Sequence, residues 1–255
     1  MRYFIELAYN GVPFHGWQCQ PNATSVQETI ETALSKILSN PTSIIGAGRT
    51  DAGVHARKMF AHFDSSVNIS NKIRFLASLN SLIGPHIAVN DLFEVEDEAH
   101  ARFDATKRTY KYFVTFNKNP FLNNLSWYSS QKLDIEKMNE SACQLLGTQD
   151  FTSFAKLHSD VTNNICSVYE AKWYYIKDDI EALNFIGSLK DGIVFTISAN
   201  RFLRNMVRAI VGTLVDVGRG KLSRNDFSDI IKAQNRCNAG TSMPAYGLYL
   251  WNVTY

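Results

Sequence analysis

From Tyr3 to Ala8 aromatic and aliphatic residues alternate with polar ones, the two-residue period of a strand, and Asn10-Gly11 closes it with a turn signal. A loop through Gly16-Trp17-Gln18 follows. Ser25-Val26-Gln27-Glu28 fits a capping box, and Val26, Ile30, Ala33, Leu34, Ile37 and Leu38 recur at helical spacing, so a helix is predicted from Val26 to Leu38. Ile44-Ile45 reads as a short strand entering a glycine-rich loop, Gly46 to Arg57, and Met59 to Phe63 as the strand leaving it. A second helix is expected with Ser70 as its cap, Ile73, Leu76, Ala77, Leu79 and Ile83 as its apolar stripe, and Gly84-Pro85 as its stop.

Strands at Ile87 to Val95 and Thr109 to Phe116 come next, then a proline- and asparagine-containing segment, 118–124, that reads as a connection between lobes. Ile135 to Leu146 has a helical pattern, and Val168 to Ile176 and Ile193 to Ser198 are strand-like, the latter entered through Asp191-Gly192. A long helix is predicted from Arg201 to Val217, its apolar stripe running from Phe202 to Val215 and its Arg201, Arg204 and Arg208 sharing the remaining face. A short helix near Asp226 to Ala233 and a strand from Gly247 to Val253 complete the pattern. Strands mixed with helices in each half predict an α+β class, a largely antiparallel mixed sheet with helices on one face.

Length changes this picture little: 255 residues exceed the usual single-domain mode and favour two lobes. We expect an N-terminal lobe over 1–104 and a C-terminal lobe over 105–255. With 45% hydrophobic and 20% charged residues and no apolar run long enough for a membrane helix or a signal peptide, a cytosolic protein is expected. The four cysteines, Cys19, Cys143, Cys166 and Cys237, form no CxxC pair, which argues against a disulfide framework and a zinc site. The net charge of +2 does not by itself indicate a nucleic-acid partner. Local clusters say more: Arg49, Arg57 and Lys58; Lys107, Arg108 and Lys111; Arg201, Arg204 and Arg208. Three such clusters line one groove or form three solvated faces, and the sequence leaves both readings open.

The candidate chemistry sits in the glycine loop, GAGRTDAGVHAR, where Asp51 stands alone among glycines and arginines. Neither phosphate-binding glycine pattern occurs there. His55 and His62 lack a third metal ligand at helical spacing, and the GxSxG elbow of a hydrolase is absent. Two readings of Asp51 stay open on the residues alone: an acid used in covalent chemistry, and a plain turn cap.

Gly48-Arg49-Thr50-Asp51-Ala52-Gly53-Val54-His55-Ala56 resembles the catalytic loop of the TruA-type tRNA pseudouridine synthases. The likeness extends in order to Gly16-Trp17-Gln18, Ser25-Val26-Gln27, His100 to Thr106, Arg108 to Tyr112, Asp150 to Phe154, Asn205 to Gly212 and Gly247 to Leu250, nearly the whole chain. One departure is Arg57-Lys58-Met59-Phe60, where a glycine-glutamine-valine run is more common. The resemblance implies two ferredoxin-like, RRM-like lobes with a catalytic cleft between them. It implies an isomerase that converts uridine to pseudouridine at positions 38, 39 and 40 of the tRNA anticodon stem loop, without a cofactor or metal, as a homodimer. The alternative is a catalytically silent tRNA-binding chaperone of the same fold.

By the same resemblance Asp51 is the essential carboxylate, Tyr110 the ring that stacks on the target uracil, and Arg49 and Arg208 guanidiniums near the acid. Arg57, Lys58, Arg201, Arg204 and Leu248 are the expected substrate contacts. A guanidinium beside Asp51 favours its charged form. Such a carboxylate can attack the ribose carbon, add to the uracil ring or remove a sugar proton. Tyr110 and Tyr112 share a strand face, and Tyr112 is expected to pack in the core rather than act.

Overall fold

A computed structural model of the chain describes residues 1–156, 163–186 and 191–255. These divide into two compact units, one formed by Met1–Arg108 with Tyr249–Tyr255, the other by Thr109–Leu248.

The first unit begins with β1 (Arg2–Tyr9), α1 (Val26–Leu38), β2 (Ile45–Gly46), β3 (His55–Asp64), α2 (Lys72–Leu82) and β4 (Ile87–Val95). The strand β1 is central, antiparallel to β3 on one side and to β4 on the other, so Ile5 and Leu7 are fully buried. The predicted bounds of α1 match its observed span. Ser25, in extended backbone, accepts from Glu28 N, and Ser39 ends the helix in the left-handed region at φ 53°. In α2 the expected Leu79 and Ile83 are buried, but Asn71, not Ser70, caps the helix, and Phe75 rather than Ile73 completes the buried stripe. Phe75 won this competition because a ring at that position stacks on Phe63 of β3.

The second unit contains β5 (Lys107–Thr115), whose first two residues belong to the first unit, β6 (Trp127–Tyr128), α3 (Ile135–Ala142), β7 (Gly147–Asp150), β8 (Ile165–Tyr175), α4 (Ile180–Phe185), β9 (Gly192–Ala199), α5 (Met206–Gly218) and α6 (Arg224–Ala233). Its strands run in the order β5-β9-β8-β7, with β6 parallel to the end of β5. The pairs β8–β9 and β7–β8 are antiparallel. The core holds Trp173 against Phe195, with α3 packed on α5, α6 and β8. Residues 118–124 lie inside this unit, as a single 3-10 turn capped by Asn119, and do not separate lobes.

The long helix starts later than expected. Asn205 adopts φ 67°, a left-handed conformation that a continuous helix excludes, and α5 begins only at Met206. Arg201 and Arg204 therefore stand on an irregular lead-in, and of the three arginines only Arg208 is on the helix.

The final strand, β10 (Leu248–Thr254), pairs in parallel with β3 in the first unit, Tyr249 opposite His55 and Leu250 opposite Ala56. Both units are thus α+β with mixed, mostly antiparallel sheets.

Candidate active site

The loop that carries Asp51 leaves β2 and enters β3, and it is held from two directions. Thr50 is buried, while Arg49 before it is exposed and Asp51 after it is half-buried. The Thr50 hydroxyl shares a 2.9 Å hydrogen bond with the Tyr9 phenol, and its carbonyl accepts from Trp17 N at 3.2 Å. Beyond Asp51 the chain makes a tight turn: Val54 N donates to Asp51 O at 3.1 Å, Gly53 takes φ 79°, and Gly53 N donates to Phe14 O. His55 then fixes the far end, accepting from Gly11 N at Nδ1 and stacking on Tyr249 at 4.5 Å.

The supporting segment, residues 11–17, approaches so closely at Gly11 and Gly16 that a side chain is excluded there. Gly16 has φ 97°, and a Cβ there would lie 2.5 Å from Thr50 O; a Cβ on Gly11 would lie 2.0 Å from Val54 O. That segment is fastened in turn to the start of α1, through Val26 N to Gly16 O and Gln27 N to Trp17 O. Gln27 and Glu31 continue the chain of bonds to the backbone of Ile44, the residue that enters the loop. The sequence elements Gly16-Trp17-Gln18 and Ser25-Val26-Gln27 are thus the mount of the aspartate loop. Tyr9 and Glu31 belong to the same mount, and neither stands out in the sequence.

Two basic residues of the loop's exit strand are engaged within the unit. The Arg57 guanidinium lies 4.7 Å over the Trp251 ring, and Lys58 pairs with Glu6 at 2.8 Å. The cluster of Lys107, Arg108 and Lys111 does not form an open basic face. Arg108 donates to the carbonyls of Ala47, Arg102 and Ala105. Lys111, in the second unit, is buried in an ion pair with Asp179 of the same unit.

In that second unit Tyr110 is half-buried and meets Phe202 edge-on, ring centroids 5.1 Å apart. Tyr112 is fully buried, as its core reading requires, with its hydroxyl donating to Pro244 O at 3.0 Å; burial raises that phenol well above the usual tyrosine range. Arg208, in the first turn of α5, is held by residue 243: its Nε donates to Met243 O at 2.6 Å and Met243 N returns a bond to Arg208 O. The strap bearing Met243 lies close to the helix, a Cβ on Gly212 falling 1.9 Å from Thr241 O. Arg236 and Asn205 share Ser242 Oγ and complete the fastening. Arg201 is half-buried beside Asn200, and Arg204 is exposed. Leu248 is buried at the start of β10.

An irregular lead-in, an αL residue and a glycine-backed strap place one arginine at a helix start; a glycine-backed turn presents one carboxylate. Residues 142–255 match the model of a family described as tRNA pseudouridine synthase. Over its whole length the chain is 51% identical to the tRNA pseudouridine synthase A of Bacteroides fragilis, covering 96% of that protein. It is 37% identical to the protein of that name in Bacillus subtilis, again over all of this chain and 99% of the relative. The chain belongs to the tRNA pseudouridine synthase A family. Among the described residues, no helix is long and apolar enough to cross a membrane.

Proposed function

We propose that the protein isomerises uridine to pseudouridine at positions 38, 39 and 40 of the tRNA anticodon stem loop, as a cytoplasmic homodimer. The observation that carries the reading is the mount of Asp51: a single carboxylate at the start of a turn whose flanks, Thr50 and His55, are each anchored by a side-chain hydrogen bond. Isomerisation breaks the bond from N1 to C1′ of the ribose and forms one from C5 to C1′, while C5 releases a proton and N1 gains one. The atoms balance without water or an external reagent. What the chain must supply is one well-held acid and a grip on the detached base.

Asp51 is the reacting carboxylate. Arg49, two residues before it and exposed, offers a guanidinium to the phosphate or to the acid. Tyr110 stacks on the extruded uracil and is braced by the edge of Phe202. Arg208, with its Nε fixed on Met243 O, is a preset rather than a swinging charge. Arg201 and Arg204 serve phosphates, which position the RNA without reading sequence. Arg57, Lys58 and Leu248 complete the substrate contacts.

The test is Asp51→Asn in a strain lacking its own enzyme, reading pseudouridine in the anticodon arm by chemical mapping. Loss of modification with tRNA binding retained supports the reading. Modification by the variant overturns it. Wild-type protein that binds tRNA and releases no label from C5 of uridine is a binding protein instead.

A further inference from the structure

Outside the glycine loop, the first unit builds one other loop with unusual care, residues 100–105, and then leaves its largest apolar side chain in water. His100 N donates to Asp104 Oδ2 at 2.6 Å and Asp104 N to His100 O at 3.1 Å, closing the loop on itself. Inside that ring, Arg102 N and Phe103 N both donate to His100 Nδ1, at 3.1 and 3.2 Å. Ala101 N donates to His62 Nδ1 and Ala101 O accepts from the Tyr255 hydroxyl at 2.7 Å. Arg108 grips the carbonyls of Arg102 and Ala105 with one guanidinium.

With its backbone so fully bonded, the loop has little freedom to fold Phe103 inward. The ring is 73% exposed, backed by the His100 ring at 4.3 Å, and the Arg102 guanidinium stands 5.6 Å from its centroid. Covering that ring with a partner removes apolar surface from water. An aromatic ring beside an exposed guanidinium matches a nucleotide, whose base has a π face and whose phosphate is an anion. Arg108 also donates to Ala47 O, so the same guanidinium that sets this loop grips the loop of Asp51.

We propose that Arg102 and Phe103 form a stacking platform for an unpaired or extruded base of the tRNA substrate, Phe103 taking the base and Arg102 the adjoining phosphate. The proposal rests on the tRNA reading above. It adds a base contact on the first unit, apart from Tyr110 on the second.

The experiment measures tRNA binding to the full-length protein across a salt series for wild type, Phe103→Ala, Phe103→Trp and Arg102→Ala, with thermal melting and sedimentation of each. We expect Phe103→Ala to weaken binding by roughly tenfold or more, with unchanged melting and unchanged turnover at saturating tRNA. Phe103→Trp retains affinity. Arg102→Ala lowers the slope of log affinity against log salt by about one unit, whereas Phe103→Ala leaves that slope alone. Equal affinity of wild type and Phe103→Ala overturns the platform while leaving the function intact. A change of oligomeric state in Phe103→Ala, with tRNA affinity kept, also overturns it and gives the ring to a second copy of the chain. Failure of the wild type itself to bind tRNA sinks the functional reading, a separate result.

Discussion

The Tyr9 phenol and the Thr50 hydroxyl share a buried 2.9 Å hydrogen bond, and Thr50 is the residue before Asp51. Tyr9 ends β1, which is hydrogen-bonded to β3 on one side and β4 on the other, so the bond ties the aspartate loop to a strand paired on both sides. Arg49 and Asp51 are more exposed on either side because Thr50 points in.

Tyr9→Phe removes that tie and adds no bulk. The expected result is roughly tenfold lower kcat, with KM for tRNA within about twofold, because orientation of the acid is lost and RNA contacts are kept. The net stability cost of the bond is about 1 kcal/mol, visible as a modest shift in urea midpoint. Thr50→Val should match Tyr9→Phe, Thr50→Ser should retain activity, and the double variant Tyr9→Phe with Thr50→Val should be no worse than either single one. Additive losses in steady-state kinetics would contradict a single shared role.

Gly16 and Gly84 make a paired test of the close approach beneath the loop. Both have positive φ, 97° and 74°, so alanine is strained at either place. Only at Gly16 does a Cβ meet backbone, Thr50 O at 2.5 Å, whereas Gly84 faces open space. Gly84→Ala should cost roughly 1 kcal/mol in urea denaturation and leave turnover intact. Gly16→Ala should cost more and reduce turnover, since relief of the contact moves the residue next to Asp51. Equal kinetics for the two variants would remove the positional argument.

The ion pair of Lys111 and Asp179 belongs to stability. Both side chains are nearly buried, at 6% and 11% exposure, and Asp179 also caps α4 by accepting from Ala182 N. Lys111→Met leaves the carboxylate buried without its cation, and a loss of roughly 3–5 kcal/mol is expected. Adding Asp179→Asn, which keeps the cap and removes the charge, should recover part of that loss. Urea titrations of the two variants check both signs.

Much of this was legible along the chain. The apolar spacing of Val26 to Leu34 and the cap at Ser25 gave α1 its true ends, because local propensity and packing agree there. At α5 they conflict: Phe202 and Leu203 continue the helical period, but Asn205, a residue that tolerates αL, takes that conformation and cuts it, held by its side chain's bond to Ser242 Oγ. The acid was visible as a lone carboxylate among glycines. Its anchors were not, since hydrogen bonds from Tyr9 and Trp17 join residues more than thirty positions apart. Lys111 shows the same limit in charge: a basic cluster in sequence is one buried ion pair and one backbone clamp in space.

His62 gives the pH dependence its sign. It is buried in β3, where its Nδ1 accepts from Ala101 N, and its pKa falls from 6.5 to about 4. Burial is the main cause, helped by the positive charge of Arg2 and by His100 and opposed by Asp64 and Asp104. The unfolded chain therefore binds a proton that the folded chain refuses between those two values. Stability from this residue is complete above about pH 6.5 and declines as pH falls toward 4. His62→Asn keeps an acceptor for Ala101 N and cannot titrate. Its urea midpoint should lie below wild type at pH 8, through lost ring packing on Phe4, and the gap should narrow steadily from pH 6.5 to pH 4.5. A constant gap would mean that the folded protein takes up the His62 proton as readily as the unfolded chain, and below pH 6.5 its Nδ1 would then turn a donor toward the Ala101 amide and loosen the loop that presents Phe103.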